Sequence, residues 1–173
     1  MDSDYFFYHG SFSYFKKIDL SKSKPFRDFG QGFYVTSIFE QAALWACKNR
    51  QRAWSEKQIY LTMPHRIPNT YIYKYKLITR TDILKKEFND YSQEWLKLVS
   101  TCRNGGKPDI NYDIVIGPMA DGKTQNIIKA FSEGIITGEE ALEKIRFHKP
   151  TNQLVFKSNK ALECLRHIKT YVL

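Results

Sequence analysis

The order in which the apolar period changes along this chain limits its fold more than any other feature. Short strand-like runs come first, at Tyr5–Tyr8, which leads into a turn at His9-Gly10-Ser11, and at Phe33–Thr36 after a polar loop over 17–32. From Ser37 the period switches: Phe39, Ala42, Ala43 and Ala46 fall on one helical face, with Ser37 and Glu40 spaced as a capping box. Further strands are predicted at Ile59–Met63, Thr70–Ile78, Ile83–Phe88, Tyr112–Ile116, Leu154–Phe156 and 168–173. Helices are predicted from Asp90 and Gln93 through Trp95, Leu98 and Val99, then over 124–132, 138–146 and 159–167. Several strands succeed one another with no helix between them. That pattern predicts an α+β fold, not a regular doubly wound sheet. No repeat or Pro/Gly/Ser linker divides the chain, so a single domain over 1–173 is expected.

Composition narrows the function classes. A hydrophobic content of 42% with 15% aromatics excludes a disordered chain. No apolar run reaches membrane-spanning length, so no membrane partner is expected. Met1-Asp2-Ser3-Asp4 lacks the basic start of a secretory leader, which predicts a cytoplasmic protein. Cys47, Cys102 and Cys164 are widely spaced and read as reduced thiols. His9, His65, His148 and His167 show no paired spacing, so no metal site is expected. The net charge of +9 favours an anionic partner: nucleic acid, a phosphorylated ligand or an acidic protein. A surface tuned for solubility accounts for it equally well.

Two motifs compete. Gly117-Pro118-Met119-Ala120-Asp121-Gly122-Lys123-Thr124 matches the phosphate-binding pattern GxxxxGK[ST], between a predicted strand and a predicted helix. Three features weigh against a nucleotide-binding loop. Asp121 places negative charge beside the phosphates. Only 49 residues follow Thr124, too few for the usual parallel sheet. The late strand Leu154–Phe156 ends in Lys157, where an aspartate for Mg²⁺ is wanted. A plain strand-to-helix turn is the better reading.

The second motif is distributed over Tyr8-His9-Gly10-Ser11, Gly30-Gln31-Gly32-Phe33-Tyr34-Val35-Thr36 and Asn152-Gln153-Leu154-Val155-Phe156. These residue types suit an NAD site. A histidine at a strand end bonds a ribose hydroxyl. A glycine without Cβ lets a carboxamide reach the main chain. An aromatic face stacks on nicotinamide. A polar residue on a late strand holds the nicotinamide-ribose 2′-hydroxyl.

In that order the segments resemble the histidine, tyrosine and acidic motifs of the ADP-ribosyltransferase superfamily, in the branch of the poly-ADP-ribose polymerases and diphtheria-type toxins. Most of the chain is also similar to a bacterial family catalogued as a domain of unknown function and grouped with those transferases. This resemblance rests on Tyr8–Ser11, Ile18–Lys22, Asp28–Thr36, Tyr112–Pro118 and Pro150–Leu162. It implies two small, packed, mostly antiparallel sheets with peripheral helices. It also implies a catalytic set of His9, Tyr34 and Gln153, with NAD as co-substrate. His9 would bond one of the two riboses, Gly10 the carboxamide, and Tyr34 would stack on nicotinamide; Ser11 and Gly32 belong to the same cofactor-binding set. Trp45 would supply a second ring and Arg27 would meet the pyrophosphate.

Active relatives usually carry glutamate in the third motif, where this chain has Gln153. A carboxylate about 4 Å from the developing ribose cation is worth roughly 4 kcal/mol at an effective dielectric near 20, about a thousandfold in rate. Three readings remain open: slow turnover or a strong acceptor nucleophile, a substitute carboxylate (Asp28 or Asp113), or NAD or ADP-ribose binding without turnover. The expectation is a mono-ADP-ribosyltransferase with a protein or nucleic-acid acceptor, resembling the toxin of a toxin–antitoxin pair held by an acidic antitoxin or regulatory protein. A silent NAD/ADP-ribose-binding module and a phosphate-loop protein are the alternatives.

Overall fold

A computed structural model describes residues 5–56, 68–120, 122–146 and 151–173. The strand predicted at Ile59–Met63 lies outside those residues. The others divide into two compact units, each assembled from separate stretches of chain. The first comprises Met1–Ile18, Val35–Arg80 and Glu163–Leu173; the second comprises Asp19–Tyr34 and Thr81–Leu162.

In the first unit, β1 (Phe6–Ser11) pairs antiparallel with the strand at Tyr71–Leu77, which pairs in turn with the strand at Leu165–Val172. The expected turn at His9-Gly10 is therefore corrected: both residues are paired strand interior, opposite Tyr73 and Ile72. The helix α1 (Phe39–Ser55) lies on one face of this sheet, where Ala42 and Ala46 pack on Ile72 with Tyr8, Phe39 and Tyr171 around them. Small residues on the helix and Gly10 on the strand permit that approach. A Cβ on Gly10 would stand 1.9 Å from the Ala42 carbonyl oxygen. The capping box expected from Ser37 does not form, because Ile38 is the cap residue and makes no side-chain cap bond. Instead the Thr36 hydroxyl accepts the Ile38 N–H at 3.2 Å. Thr36 is held there by reciprocal backbone bonds with Tyr8.

The second unit is built on a four-stranded sheet whose order is β2 (Phe33–Val35), the strand Asn152–Phe156, the strand Ile114–Pro118 and the strand Lys85–Glu87. In chain order, Tyr71–Leu77 is β3, Lys85–Glu87 β4, Ile114–Pro118 β5, Asn152–Phe156 β6 and Leu165–Val172 β7. β5 runs antiparallel to β6 and parallel to β4. Helices α2 (Gln93–Arg103), α3 (Gly122–Ser132) and α4 (Gly138–Ile145) close a core around Trp95, Phe29, Val99, Val115 and Ile128. The indole N–H of Trp95 donates to the Pro118 carbonyl at 3.0 Å, so the largest core ring carries no unmet polar atom. α2 starts at Ser92, whose hydroxyl accepts the Trp95 N–H; Asp90 instead accepts from its neighbour Tyr91. The helix expected over 159–167 is only α5 (Asn159–Leu162). Residues from Leu165 onward join β3, since cross-strand pairing outweighs a weak helical preference.

Among the described residues the fold is therefore mixed α+β, with two small sheets and five α-helices. No described helix is long and apolar enough to cross a membrane.

Candidate functional site

The polar centre of the second unit is Asp28, 7% exposed, in the loop before β2. A carboxylate removed from water costs several kcal/mol unless charge and hydrogen bonds replace its hydration. Here four donors do so. Arg103, in the last turn of α2, gives Nε at 2.9 Å and Nη2 at 2.6 Å to Oδ1. The Ala120 backbone N–H at 2.9 Å and the Gln153 Nε2 at 2.8 Å both reach Oδ2. Arg103 Nη2 also donates to the Ala120 carbonyl at 2.9 Å, closing the ring. Gln153 sits on β6 opposite Gly117 of β5 and is 8% exposed. Its place in the third motif and this partnership with Asp28 coincide.

Tyr34 of β2 tightens the same loop. Its hydroxyl donates to the Gly30 carbonyl at 2.6 Å and accepts the Phe29 N–H at 3.1 Å. Burial, reinforced by the nearby Asp28 charge, pushes the phenol far above its ordinary pKa, so it stays a donor at any physiological pH. Lys157, just past β6, donates to the Phe29 carbonyl at 2.5 Å. Burial lowers the pKa of that lysine. The Phe29 ring is fully buried against Phe88. The segment from Asp28 to Gly30 is thus held through its side chains, amides and carbonyls together.

Glycines near this loop have packing reasons of their own. A Cβ on Gly32 would lie 2.5 Å from Val155 Cγ1, so only glycine lets the chain pass that close to β6. Its N–H and carbonyl are both taken by the Ser23 hydroxyl, at 3.0 and 2.7 Å. Gly30 has φ +79°, which glycine adopts without strain. Arg27 precedes the loop and is half-buried.

The remaining sequence-derived candidates belong to the first unit. His9 stands on β1 beside Phe15 and Tyr73, with ring centroids 5.8 and 6.3 Å away. Phe15 stacks on Tyr73 at 4.0 Å, and the Tyr73 hydroxyl accepts the Phe15 N–H at 2.7 Å. His9 therefore lies on an aromatic sheet face. Ser11 closes a local turn, its hydroxyl bonded to both the N–H and the carbonyl of Ser13. Trp45 lies on α1, away from the alanine face, and is 39% exposed.

The sheet of the first unit also carries a basic surface. Strand register sets Phe6, Lys76 and Arg166 in one cross-strand row and Tyr8, Lys74 and Lys169 in the next. Like charges directly opposite each other destabilise a sheet. Rings temper part of that cost: Lys74 Nζ lies 3.6 Å over Phe6, and Lys169 Nζ 5.0 Å over Tyr171. This unit holds 12 basic residues against 5 acidic ones, and so carries most of the net positive charge.

The turn after β5 does not have the geometry of a phosphate loop. Two of its amides are already committed, Met119 N–H to the Thr151 carbonyl and Ala120 N–H to Asp28. Thr124 is fully buried, whereas a Mg²⁺ ligand must be reachable. β5 has one parallel and one antiparallel neighbour. Asp121 and the Lys123 side chain lie outside what is described. The plain strand-to-helix turn stands.

Asp113, the other substitute carboxylate considered, is tied elsewhere: it accepts from Ser158 at 2.5 Å and from the Leu84 N–H at 3.0 Å. Arg103 was invisible in the sequence. It lies 75 residues from Asp28 in an ordinary helix terminus, with no local pattern to mark it. Asp28 was marked only as a spare carboxylate.

The family described as "Protein of unknown function (DUF3990)" matches residues 6–167. No curated protein and no solved structure matches the chain.

Proposed function

This chain belongs to the DUF3990 family, and from that premise we propose that it binds NAD and transfers ADP-ribose to a macromolecular acceptor in the cytoplasm. One observation carries the reading. The third-motif residue, Gln153, is not a stray polar side chain but one hydrogen bond from a buried carboxylate, at 2.8 Å. In this reading the Gln153 carboxamide holds the nicotinamide-ribose 2′-hydroxyl. Asp28 stands behind it, supplying negative potential while the glycosidic bond breaks and positive charge gathers on the ribose. Arg103, 2.6 Å from Asp28, cancels much of that potential at longer range. Turnover is then slower than with a glutamate at the same place, and the acceptor has to be a competent nucleophile. On the second unit Tyr34 would serve the nicotinamide ring; on the first, His9, Gly10, Ser11 and Trp45 are the residues that the resemblance assigns to NAD. Gly32 and Arg27 would lie along the path to the pyrophosphate.

Incubation with NAD labelled in the nicotinamide ring tests the proposal. Nicotinamide release that is lost in His9→Ala and in Gln153→Ala supports it. A folded protein that neither binds nor consumes NAD ends it. Tight NAD binding without release would instead identify a silent recognition module, a reading that the Asp28–Arg103 neutralisation favours.

The acceptor reading draws on charge. Two basic cross-strand rows suit a polyanion such as nucleic acid, through charge and not through their rings, since Tyr8 and Tyr171 pack against α1. An acidic regulatory partner, such as an antitoxin, is the competing occupant. Transfer to DNA or RNA that weakens steeply with salt supports the first; salt-insensitive labelling of protein removes it.

A further inference from the structure

We infer that Asp28 and Arg103 are positioning residues that decide which end of the Gln153 carboxamide meets a ligand. The identity of that ligand rests on the NAD reading above; the orientation does not. A carboxylate has acceptors only, so the amide has to turn a donor toward it, and Nε2 lies 2.8 Å from Asp28 Oδ2. Asp28 cannot swing aside, because Arg103 grips Oδ1 through two N–H groups and the Ala120 N–H holds Oδ2. The amide oxygen Oε1 is therefore directed away from the lock. Among the described residues no donor meets Oε1. No buried side-chain nitrogen or oxygen among them lacks a partner either, so this atom reaches the surface although Gln153 as a whole is 8% exposed.

The result is a nearly buried side chain that presents a single acceptor of fixed direction. Its ligand must donate a hydrogen bond: a sugar hydroxyl or a neutral amide fits, a phosphate oxygen does not. A ribose hydroxyl can also accept, so an amide turned the other way would still bind it. The donor would then draw electron density from a ring that must carry positive charge, and the loss falls on kcat, not on KM.

The same geometry reverses a simple expectation about Gln153→Glu. Two carboxylates 2.8 Å apart have to share a proton, so this variant alone does not recreate a free glutamate. Combining it with Asp28→Asn does. The new asparagine keeps its oxygen toward Arg103, gives up the Ala120 N–H, and donates Nδ2 to one glutamate oxygen, leaving the other facing outward.

The experiment uses the full chain, ¹⁵N-labelled, with Gln153→Ala to assign its side-chain amide resonances. Wild type is expected to show one strongly exchange-protected Gln153 amide proton, which Asp28→Asn shifts and deprotects. With NAD as the probe, Asp28→Asn is expected to lower kcat for nicotinamide release at least about tenfold, with KM held within about threefold. Asp28→Asn/Gln153→Glu is expected to restore release to the wild-type level or above. A Gln153 amide that exchanges in wild type as fast as an exposed glutamine overturns the inference. So does an Asp28→Asn variant that changes neither the resonances nor kcat. Should wild type neither bind nor consume NAD, the proposed function falls, and the amide spectrum still decides the orientation.

Discussion

Replacing Arg103 with alanine while leaving Asp28 in place measures what the buried ion pair does for the fold. Arg103 supplies two of the four donors to the Asp28 carboxylate and a third bond to the Ala120 carbonyl. Its removal leaves a charged group at 7% exposure with only Ala120 N–H and Gln153 Nε2 for company. Orphaning a buried charge in this way costs about 3–5 kcal/mol, against a typical total of roughly 5–15 kcal/mol for a domain. The assay is urea denaturation followed by tryptophan fluorescence, to which the fully buried Trp95 of the second unit contributes. Hydrogen exchange at the Ala120 amide reports the local opening. The magnitude has to depend on Asp28. In an Asp28→Asn background no full charge is orphaned, and Arg103→Ala is expected to cost no more than about 1.5 kcal/mol, the scale of ordinary hydrogen bonds. The coupling from that double-mutant cycle is then about 1.5 kcal/mol or more. A single-variant cost below about 1 kcal/mol, or strict additivity, refutes the idea that this network anchors the second unit.

Gly10→Ala is expected to lose about 3 kcal/mol or to fail to fold, because its Cβ would meet the Ala42 carbonyl oxygen at 1.9 Å and α1 would have to lift off the sheet; an unchanged melting temperature contradicts that close approach. Asp113→Asn is expected to cost about 1–2 kcal/mol near neutral pH. The pKa of Asp113 is lowered first by the Ser158 hydroxyl and then by the Leu84 N–H, so its stabilisation is full above the unfolded carboxylate pKa and fades as pH falls through the lower folded value. The gap between wild type and variant in pH-dependent unfolding should therefore close below about pH 4, and a gap that widens there counts against it. Arg166→Glu with Lys169→Glu should weaken binding to a single-stranded oligonucleotide and flatten its salt dependence by roughly two phosphate contacts; an unchanged slope frees this face of any such role.

Much of the fold was legible because local chemistry dictated it. The Tyr-Lys alternation of β3 and the helical spacing of Phe39, Ala42, Ala43 and Ala46 each describe a half-buried element, and both elements formed. α4 formed at Gly138–Ile145, within the helix expected over 138–146. Errors arose where a distant partner overrode a local preference. Ser37 lost the cap because Thr36 was anchored by Tyr8. Residues 165–167 became strand because β3 was waiting with unpaired backbone groups. The site divides along the same line. Tyr34 and Gln153 were marked by residue type and motif, whereas the grip of Arg103 on Asp28 spans 75 residues and leaves no trace in spacing.

By itself the sequence determined most of the strands and helices and that they form a mixed α+β fold. Periodicity, charge and turn chemistry act over a few residues, and a linear reading captures them. Only the tertiary structure decided that Gly10 and Gly32 are small to admit neighbouring chain, that Ala120 N–H is bound to a carboxylate, and that Gln153 turns its nitrogen to Asp28. A buried charge has to find its donors wherever the fold brings them, and that choice is made in space, not along the chain.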